Sequence, residues 1–82
     1  MSLKLVFLGR LEDAAGAPEL TAPLPQPATL SALLGSLPPT VAEAVSGGRV
    51  KLALNGRIVP CSADTPLSDG DELAFLPPVS GG

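Results

Sequence analysis

The segment Val50–Cys61, with the sequence VKLALNGRIVPC, decides the fold. At its centre Asn55-Gly56 separates two runs rich in aliphatic residues. This dipeptide favours a type I′ turn, in which both central residues have positive φ. The sequence therefore predicts a β-hairpin with strands at Val50–Leu54 and Arg57–Cys61, and Cys61 is interpreted as a small apolar strand residue.

Three further strands are predicted, two before this hairpin and one after it. Leu3–Leu8 is apolar at nearly every position, and Glu19–Leu24 is a weaker strand that prolines terminate. Asp69-Gly70 forms a turn into the last strand, Asp71–Leu76. We expect the first and last strands to pair in parallel at the centre of the sheet, while Gly9–Pro18 is predicted to be a loop.

One main helix is predicted between the second strand and the hairpin. Thr29 is a suitable N-cap, and Pro38-Pro39 ends the helix. A leucine stripe at helical spacing follows the cap, at Leu30, Leu33, Leu34 and Leu37. Thr40–Ser46 is predicted to add a short second helix with Gly47 as its C-cap. These elements indicate an α+β fold, a mixed sheet of about five strands with one main helix on one face.

Composition excludes several classes of function. The 82 residues suffice for one small domain, with a net charge of −3, no histidine, one cysteine, no tryptophan and no tyrosine. Zinc sites, Cys–His nucleophiles and Ser–His triads are therefore not expected. The acidic balance argues against nucleic-acid binding, and no apolar run reaches the ~20 residues of a membrane span. Because Cys61 has no intramolecular partner, we expect a cytoplasmic protein.

The end of the chain is predicted to be an extended arm. Residues 77–82 read PPVSGG and follow a domain expected at residues 1–76. The two prolines favour a stiff polyproline II spacer, and the two terminal glycines carry no side chain. Such an arm could enter a narrow channel, and the residues predicted to insert are Pro77, Pro78, Val79, Ser80 and Gly81, with the carboxylate of Gly82 leading.

A terminal carboxylate has limited chemistry of its own. The Gly82 carboxylate is ionised at neutral pH and is a poor electrophile until it is activated, for example as an acyl-adenylate. The sequence has neither a GxxxxGK[ST] nor a GxGxxG motif, so another enzyme must supply the ATP chemistry. These observations indicate a carrier or a conjugated modifier whose functional group is its own C-terminus.

The terminal segment Pro66–Gly82, with the sequence PLSDGDELAFLPPVSGG, resembles the small subunits of molybdopterin synthase, a family of ubiquitin-like sulfur carriers. The opening strand and Leu54-Asn55-Gly56 fall at similar places, whereas Glu19–Arg49 is generic. The resemblance implies the β-grasp fold with an extended C-terminal tail. The sequence departs from the family pattern at Leu76, where members often have a second aromatic residue before the two prolines.

The resemblance also implies a reaction and its partners. An E1-like adenylyltransferase would use ATP to adenylate Gly82, and a sulfur donor enzyme would convert it to a thiocarboxylate, which places a covalent sulfur at Gly82. The tail would then enter the large subunit of molybdopterin synthase, in a heterotetramer, and donate sulfur to cyclic pyranopterin monophosphate to build the dithiolene. The small subunit would contribute no side-chain catalyst, because the acid–base and lysine chemistry belongs to the large subunit. It would also bind no cofactor and no metal.

Alternation along the strands predicts a surface for these partners. Leu8 on the first strand and Leu76 on the last would lie close together near the start of the tail, and Ile58 in the hairpin would join them. Two interpretations stay open, an exposed partner patch and a core covered by the helix. The nearby acidic residues, Asp69, Asp71 and Glu72, are interpreted as turn-forming groups or as partners for basic residues of the activating enzyme.

Three alternative functions remain at this point. A sulfur carrier for thiamine thiazole synthesis would use the same terminal chemistry, although the spacer Pro77–Ser80 resembles the molybdopterin branch more. A ubiquitin-like modifier would be conjugated to lysines through Gly82. A passive interaction module would make no use of the tail.

Overall fold

The computed structural model describes residues 1–45, 50–59 and 65–77. These residues form five strands and three short helices, in the order β1 (Ser2–Phe7), α1 (Arg10–Ala15), β2 (Glu19–Pro23), α2 (Leu30–Ser36), α3 (Pro39–Val45), β3 (Lys51–Leu54), β4 (Arg57–Val59) and β5 (Glu72–Leu76). The predicted C-cap Gly47, the end of the hairpin at Cys61 and the tail residues Pro78–Gly82 lie outside the described residues.

The strands form one mixed sheet in the order β2-β1-β5-β3-β4. The first and last strands pair in parallel at the centre, with Phe7 opposite Phe75, and every other pair is antiparallel. This arrangement confirms the predicted α+β fold and its central parallel pair. The hairpin turn is also as predicted, because Asn55 and Gly56 have φ values of 51° and 83°.

One face of the sheet carries the hydrophobic core. The two phenylalanines of the chain, Phe7 and Phe75, stack with ring centroids 5.5 Å apart on the central strands. All three helices bury residues against this face, and the cluster includes Leu11, Leu30, Leu33, Val41, Val45 and Leu52. Thr29 caps α2 as predicted, since its side-chain oxygen accepts a hydrogen bond from the Ala32 amide at 3.3 Å.

The prediction of a loop over Gly9–Pro18 is wrong, because Arg10–Ala15 forms α1. Leu11 is buried in the core and fixes this single helical segment to the sheet. The acidic residues Glu12 and Asp13 lie in its first turn, where the helix dipole favours negative charge. Gly16 ends the helix in the left-handed conformation.

A group of hydrogen bonds ties the hairpin turn to the start of β5, and we call it the hairpin latch. Asn55 Nδ2 donates to Asp71 Oδ1 at 2.9 Å, and the Glu72 amide donates to Asn55 Oδ1 at 2.9 Å. The other carboxylate oxygen of Asp71 accepts from the Ser68 amide at 2.8 Å. Nearby, Asp69 accepts from the Ser2 amide at 2.8 Å. These bonds support the interpretation of both aspartates as turn-forming groups.

Replacing Asp71 by alanine should lower the free energy of unfolding by about 1–2 kcal/mol, because the substitution leaves the Ser68 amide and the Asn55 side chain without their acceptor. For a domain of this size, the melting temperature should fall by roughly 5–15 °C. Glu43→Ala is the control, since it removes an exposed carboxylate from α3 and should change stability by less than about 0.5 kcal/mol. Equal melting temperatures for the two variants would contradict a structural role for the latch.

Candidate functional site

The second face of the sheet is free of helices in the described part of the chain. Strand register places four apolar residues in one row across four strands, with Val6 beside Ala74, Ala74 beside Ala53, and Ala53 beside Ile58. Ala53 is buried without belonging to the core cluster, and Val6 and Ala74 are half-buried. The row is therefore an apolar strip on the open face.

The three residues predicted as a partner patch also lie on the open face. Leu8 is 42% exposed and Ile58 is 58% exposed, and Leu76 is half-buried. Leu8 lies next to the end of β5, because its amide donates to the Phe75 carbonyl at 3.2 Å. Neither Leu8 nor Ile58 is covered by a helix, so the alternative of a helix-covered core is wrong for these two residues.

Ile58 lies farther from the tail than Leu8 and Leu76 do. It is on the edge strand β4, three strand spacings or about 14 Å from β1. Val6, Ala74 and Ala53 fill the interval between Leu8 and Ile58. We call the whole set the open-face patch: Val6, Leu8, Ala53, Ile58, Ala74 and Leu76. The sequence reasoning did not select Ala53 and Ala74, although the two-residue turn at Asn55-Gly56 fixes Ala53 opposite Ile58.

A charged group lies beside the patch on the same face. The Lys4 ammonium is 3.3 Å from the Glu19 carboxylate and 3.6 Å from the Glu72 carboxylate. The hydrogen bond to Glu19, with the charges of Glu19 and Glu72, raises the pKa of Lys4 above its ordinary value. Because the shift is upward, Lys4 carries its positive charge at neutral pH and loses it only in alkaline solution. The polar group thus marks one boundary of the open-face patch.

The start of the tail lies at the other end of β5. Pro77 is half-buried, and its ring lies against Gly9 in the connection between β1 and α1. A Cβ atom built at Gly9 would be 2.9 Å from Pro77 Cγ, well inside van der Waals contact. Pro77 is the last described residue, so the remaining tail residues, Pro78, Val79, Ser80, Gly81 and Gly82, lie outside the described part of the chain.

The described residues offer no side-chain chemistry at the patch or at the start of the tail. None of the buried side chains in residues 1–45, 50–59 and 65–77 is polar or charged. The same ranges contain no group of three or more acidic or cysteine side chains able to hold a metal ion. What the arrangement provides is an apolar surface next to Pro77, the residue at which the predicted tail begins.

The helices within the described ranges have at most seven residues, and none is long and apolar enough to cross a membrane.

Comparison with known proteins agrees with this arrangement. A model of the ThiS family matches residues 5–82. The molybdopterin synthase sulfur carrier subunit of Escherichia coli (strain K12) is 35% identical over 82 residues, 98% of this chain and 99% of that protein.

Two solved structures have the same fold over their full length. Small archaeal modifier protein 1 from Haloferax volcanii superposes with a TM-score of 0.76 at 27% identity, covering 100% of both chains. A chain in the complex of subunits 1 and 2 of molybdopterin-converting factor from Helicobacter pylori 26695 superposes with a TM-score of 0.71 at 27% identity, also covering 100% of both. The fold is therefore the ubiquitin-like β-grasp, and the chain belongs to the ThiS family, as the resemblance of its terminal segment to ubiquitin-like sulfur carriers predicts.

Proposed function

We propose that this protein is a sulfur carrier, the small subunit of a molybdopterin synthase, and that it donates sulfur from a thiocarboxylate at Gly82. The observation that carries the proposal is the 35% identity with the Escherichia coli sulfur carrier subunit over almost the whole of both chains. The terminal Gly81-Gly82 after two prolines supplies the chemical group that such a carrier needs.

The proposed chemistry takes place at the backbone carboxylate. An oxygen of the Gly82 carboxylate attacks the α-phosphorus of ATP in an E1-like adenylyltransferase, pyrophosphate leaves, and an acyl-adenylate forms. Sulfur at the oxidation level of sulfide, delivered by a donor enzyme, displaces AMP and leaves a thiocarboxylate. Sulfur is a softer and stronger nucleophile than oxygen, so the modified terminus can attack an electrophilic carbon of cyclic pyranopterin monophosphate, where the C–S bond replaces a C–O bond and the oxygen substituent leaves. Hydrolysis of the resulting thioester leaves sulfur on the pterin and returns Gly82 as a carboxylate.

The described residues suit a carrier better than a catalyst. They bury no acid or base, and the core consists of aliphatic residues and two phenylalanines. Acid–base groups for sulfur transfer would therefore come from the large subunit, which the tail would enter. No cofactor is required on this chain, since ATP is consumed by the activating enzyme.

The open-face patch is the proposed docking surface for the large subunit. It is apolar, no helix of the described residues covers it, and Leu8 and Leu76 adjoin the strand end from which the tail begins. The neighbour from Helicobacter pylori is itself part of a complex of subunits 1 and 2, which supports a partner of this kind. Docking of the domain would hold the tail close to the catalytic pocket and so raise its effective concentration there.

Intact-mass spectrometry tests the proposal. The chain is co-expressed with its E1-like enzyme and sulfur donor, purified and weighed. We expect a species heavier than the unmodified chain by the difference between one sulfur and one oxygen atom, with fragment ions that place the change at Gly82. Mixed with a large subunit and cyclic pyranopterin monophosphate, this species should return to the unmodified mass as dithiolene forms. A chain that stays unmodified with active enzymes present would contradict the proposal.

A second candidate is a protein modifier joined to lysines through Gly82. The likeness to small archaeal modifier protein 1 over the full length of both chains favours it. This function would produce isopeptide-linked species in a lysate of the source cells. Because Arg57 is the last basic residue of the chain, tryptic digestion would leave residues 58–82 attached to the target lysines, where mass spectrometry detects them. The carrier for thiamine thiazole synthesis would instead lose its sulfur to a thiazole synthase and not to the molybdopterin large subunit.

A further inference from the structure

The contact between Gly9 and Pro77 joins the start of the tail to the body of the domain. A Cβ at Gly9 would lie 2.9 Å from Cγ, 3.7 Å from Cδ and 3.9 Å from Cβ of Pro77, so the proline ring occupies the space of the missing side chain. The ring atoms of proline are tied to its backbone. A side chain at position 9 would therefore have to shift the proline ring or the main chain that carries it.

Gly9 is held in a conformation that only glycine adopts readily. Its φ and ψ are 56° and −132°, outside the regions open to residues with a Cβ. The neighbouring backbone is fixed, since the Leu11 amide donates to the Leu8 carbonyl at 3.1 Å and the Glu12 amide donates to the Gly9 carbonyl at 3.2 Å. Leu11 is buried in the core. Gly9 is thus a rigid support, and Pro77 is the part that would have to move.

Pro77 also marks the point where the chain leaves the sheet. The bond from the Leu8 amide to the Phe75 carbonyl continues the pairing of β1 with β5 to the end of β5. Pro77 has no amide hydrogen with which to continue this ladder, and it restricts Leu76 to extended backbone. The packing of the proline ring against Gly9 therefore holds in place the residue from which the tail begins.

We propose that Gly9 is a positioning residue for sulfur transfer: its bare backbone holds Pro77 and thereby sets the direction in which the tail starts towards the partner's active site. The inference rests on the proposed function, in which the tail must deliver Gly82 to a pocket while the domain is docked. Five residues follow Pro77 and can span at most about 17 Å, so a changed starting direction is carried to the tip of an extended tail.

The test compares Gly9→Ala with Gly16→Ala in the full-length chain. Gly16 also has a positive φ, 79°, but a Cβ there would meet nothing within 4 Å. Both variants should melt below the wild-type chain because of backbone strain, and circular dichroism at the assay temperature selects conditions in which both are folded. In thiocarboxylate formation by the activating enzyme, Gly9→Ala should lower kcat by about 10- to 100-fold with KM within about twofold, whereas Gly16→Ala should keep kcat within about twofold.

A double variant connects the effect to Pro77. Pro77→Ala removes Cγ and Cδ, the two ring atoms nearest position 9, so Gly9→Ala/Pro77→Ala should turn over no more slowly than Pro77→Ala alone. Equal kcat for Gly9→Ala and Gly16→Ala, or a rise in KM alone, would overturn the positioning role. If Gly9→Ala does not fold, Pro77→Ala takes its place, and an unchanged kcat in that variant overturns the inference.

A readout independent of sulfur separates this inference from the proposed function. In the wild-type chain, proton NMR should show a nuclear Overhauser effect between the Gly9 α-protons and the Pro77 ring, lost in Gly9→Ala and kept in Gly16→Ala. If this effect is present but the wild-type chain accepts no sulfur, the proposed function fails and the contact stands. If the wild-type chain accepts sulfur but the effect is absent, the positioning role fails alone.

Discussion

An extra alanine after Gly82 abolishes sulfur transfer while leaving the domain as stable as the wild-type chain: this is the largest effect that we expect. The reacting group is a backbone carboxylate, and one added residue moves it by about 3.5 Å and puts a methyl group beside it. Misplacement of a reacting group by about 1 Å can already cost about 100-fold in rate, so we expect a loss of at least about 1,000-fold. Thiocarboxylate formation, followed by intact mass, measures it.

Stability should be unaffected because the core lies before the tail. Within the part of the chain that the structure describes, the hydrophobic cluster runs from Leu3 to Phe75 and the last strand ends at Leu76. The melting temperatures of the extended and wild-type chains should therefore agree within about 1 °C, since changes away from buried groups alter stability little. The matched control is a chain with the extra alanine before Met1. Met1 is 87% exposed, so this control should transfer sulfur normally.

Two related variants separate the effect of the carboxylate's position from the effect of the width of the chain at its tip. Deleting Gly82 draws the carboxylate back by one residue and should be as inactive as the extension. Gly82→Ala keeps the length and adds only a methyl group, so its activity reports how narrow the partner's channel is at the tip. Thiocarboxylate formation at the normal rate in the extended chain would refute the terminal-carboxylate mechanism.

Much of the fold could be predicted because a few local signals determine it. Asn55-Gly56 fixes the hairpin and its register. The strand Leu3–Leu8 is apolar at nearly every position, so it is expected at the centre of the sheet, with a paired strand on each side. The helix after Thr29 follows from its cap and its leucine spacing. In each case the residues that carry the signal are adjacent in sequence, so local physics is sufficient.

The remaining features depend on residues far apart in the chain. Helix α1 has six residues with only Leu11 buried, which is too short for a periodic pattern to appear. Alternation along β5 places Ala74 on the same face as Leu76, but Ala53 joins the open-face patch only because β3 pairs with β5, and alanine itself gives no sign of this role. The contact of Gly9 with Pro77 joins positions 68 residues apart, and a glycine after a strand could equally be an ordinary turn.

The second large effect is expected at the open-face patch. Leu8→Asp should weaken binding to the large subunit by about 2–4 kcal/mol, or roughly 30- to 1,000-fold in Kd, because the carboxylate would lose its water in an apolar interface. Leu8 is already 42% exposed, so the free domain should remain folded. Leu76→Asp should weaken binding similarly but should also lower stability, since Leu76 is half-buried.

Ser31→Asp is the matched control for charge. Ser31 is exposed on α2, on the opposite side of the sheet, so this variant gains the same negative charge away from the patch. Isothermal titration with the large subunit should give the wild-type Kd for Ser31→Asp and a weaker Kd for Leu8→Asp. Unchanged affinity in both Leu8→Asp and Leu76→Asp would remove the docking role from the patch.

Changes in the open-face patch should impair binding to the large subunit, whereas changes at the end of the tail should impair sulfur donation. A chain with Leu8→Asp still ends in an intact Gly82, so a saturating concentration of the large subunit should restore most of its sulfur transfer and place the defect in KM. A chain extended after Gly82 keeps the patch, so it should compete with the wild-type carrier for the large subunit without donating sulfur. If Leu8→Asp instead lowered kcat with no change in affinity, the patch would act on the chemical step, and docking and delivery could not be assigned to separate parts of the chain.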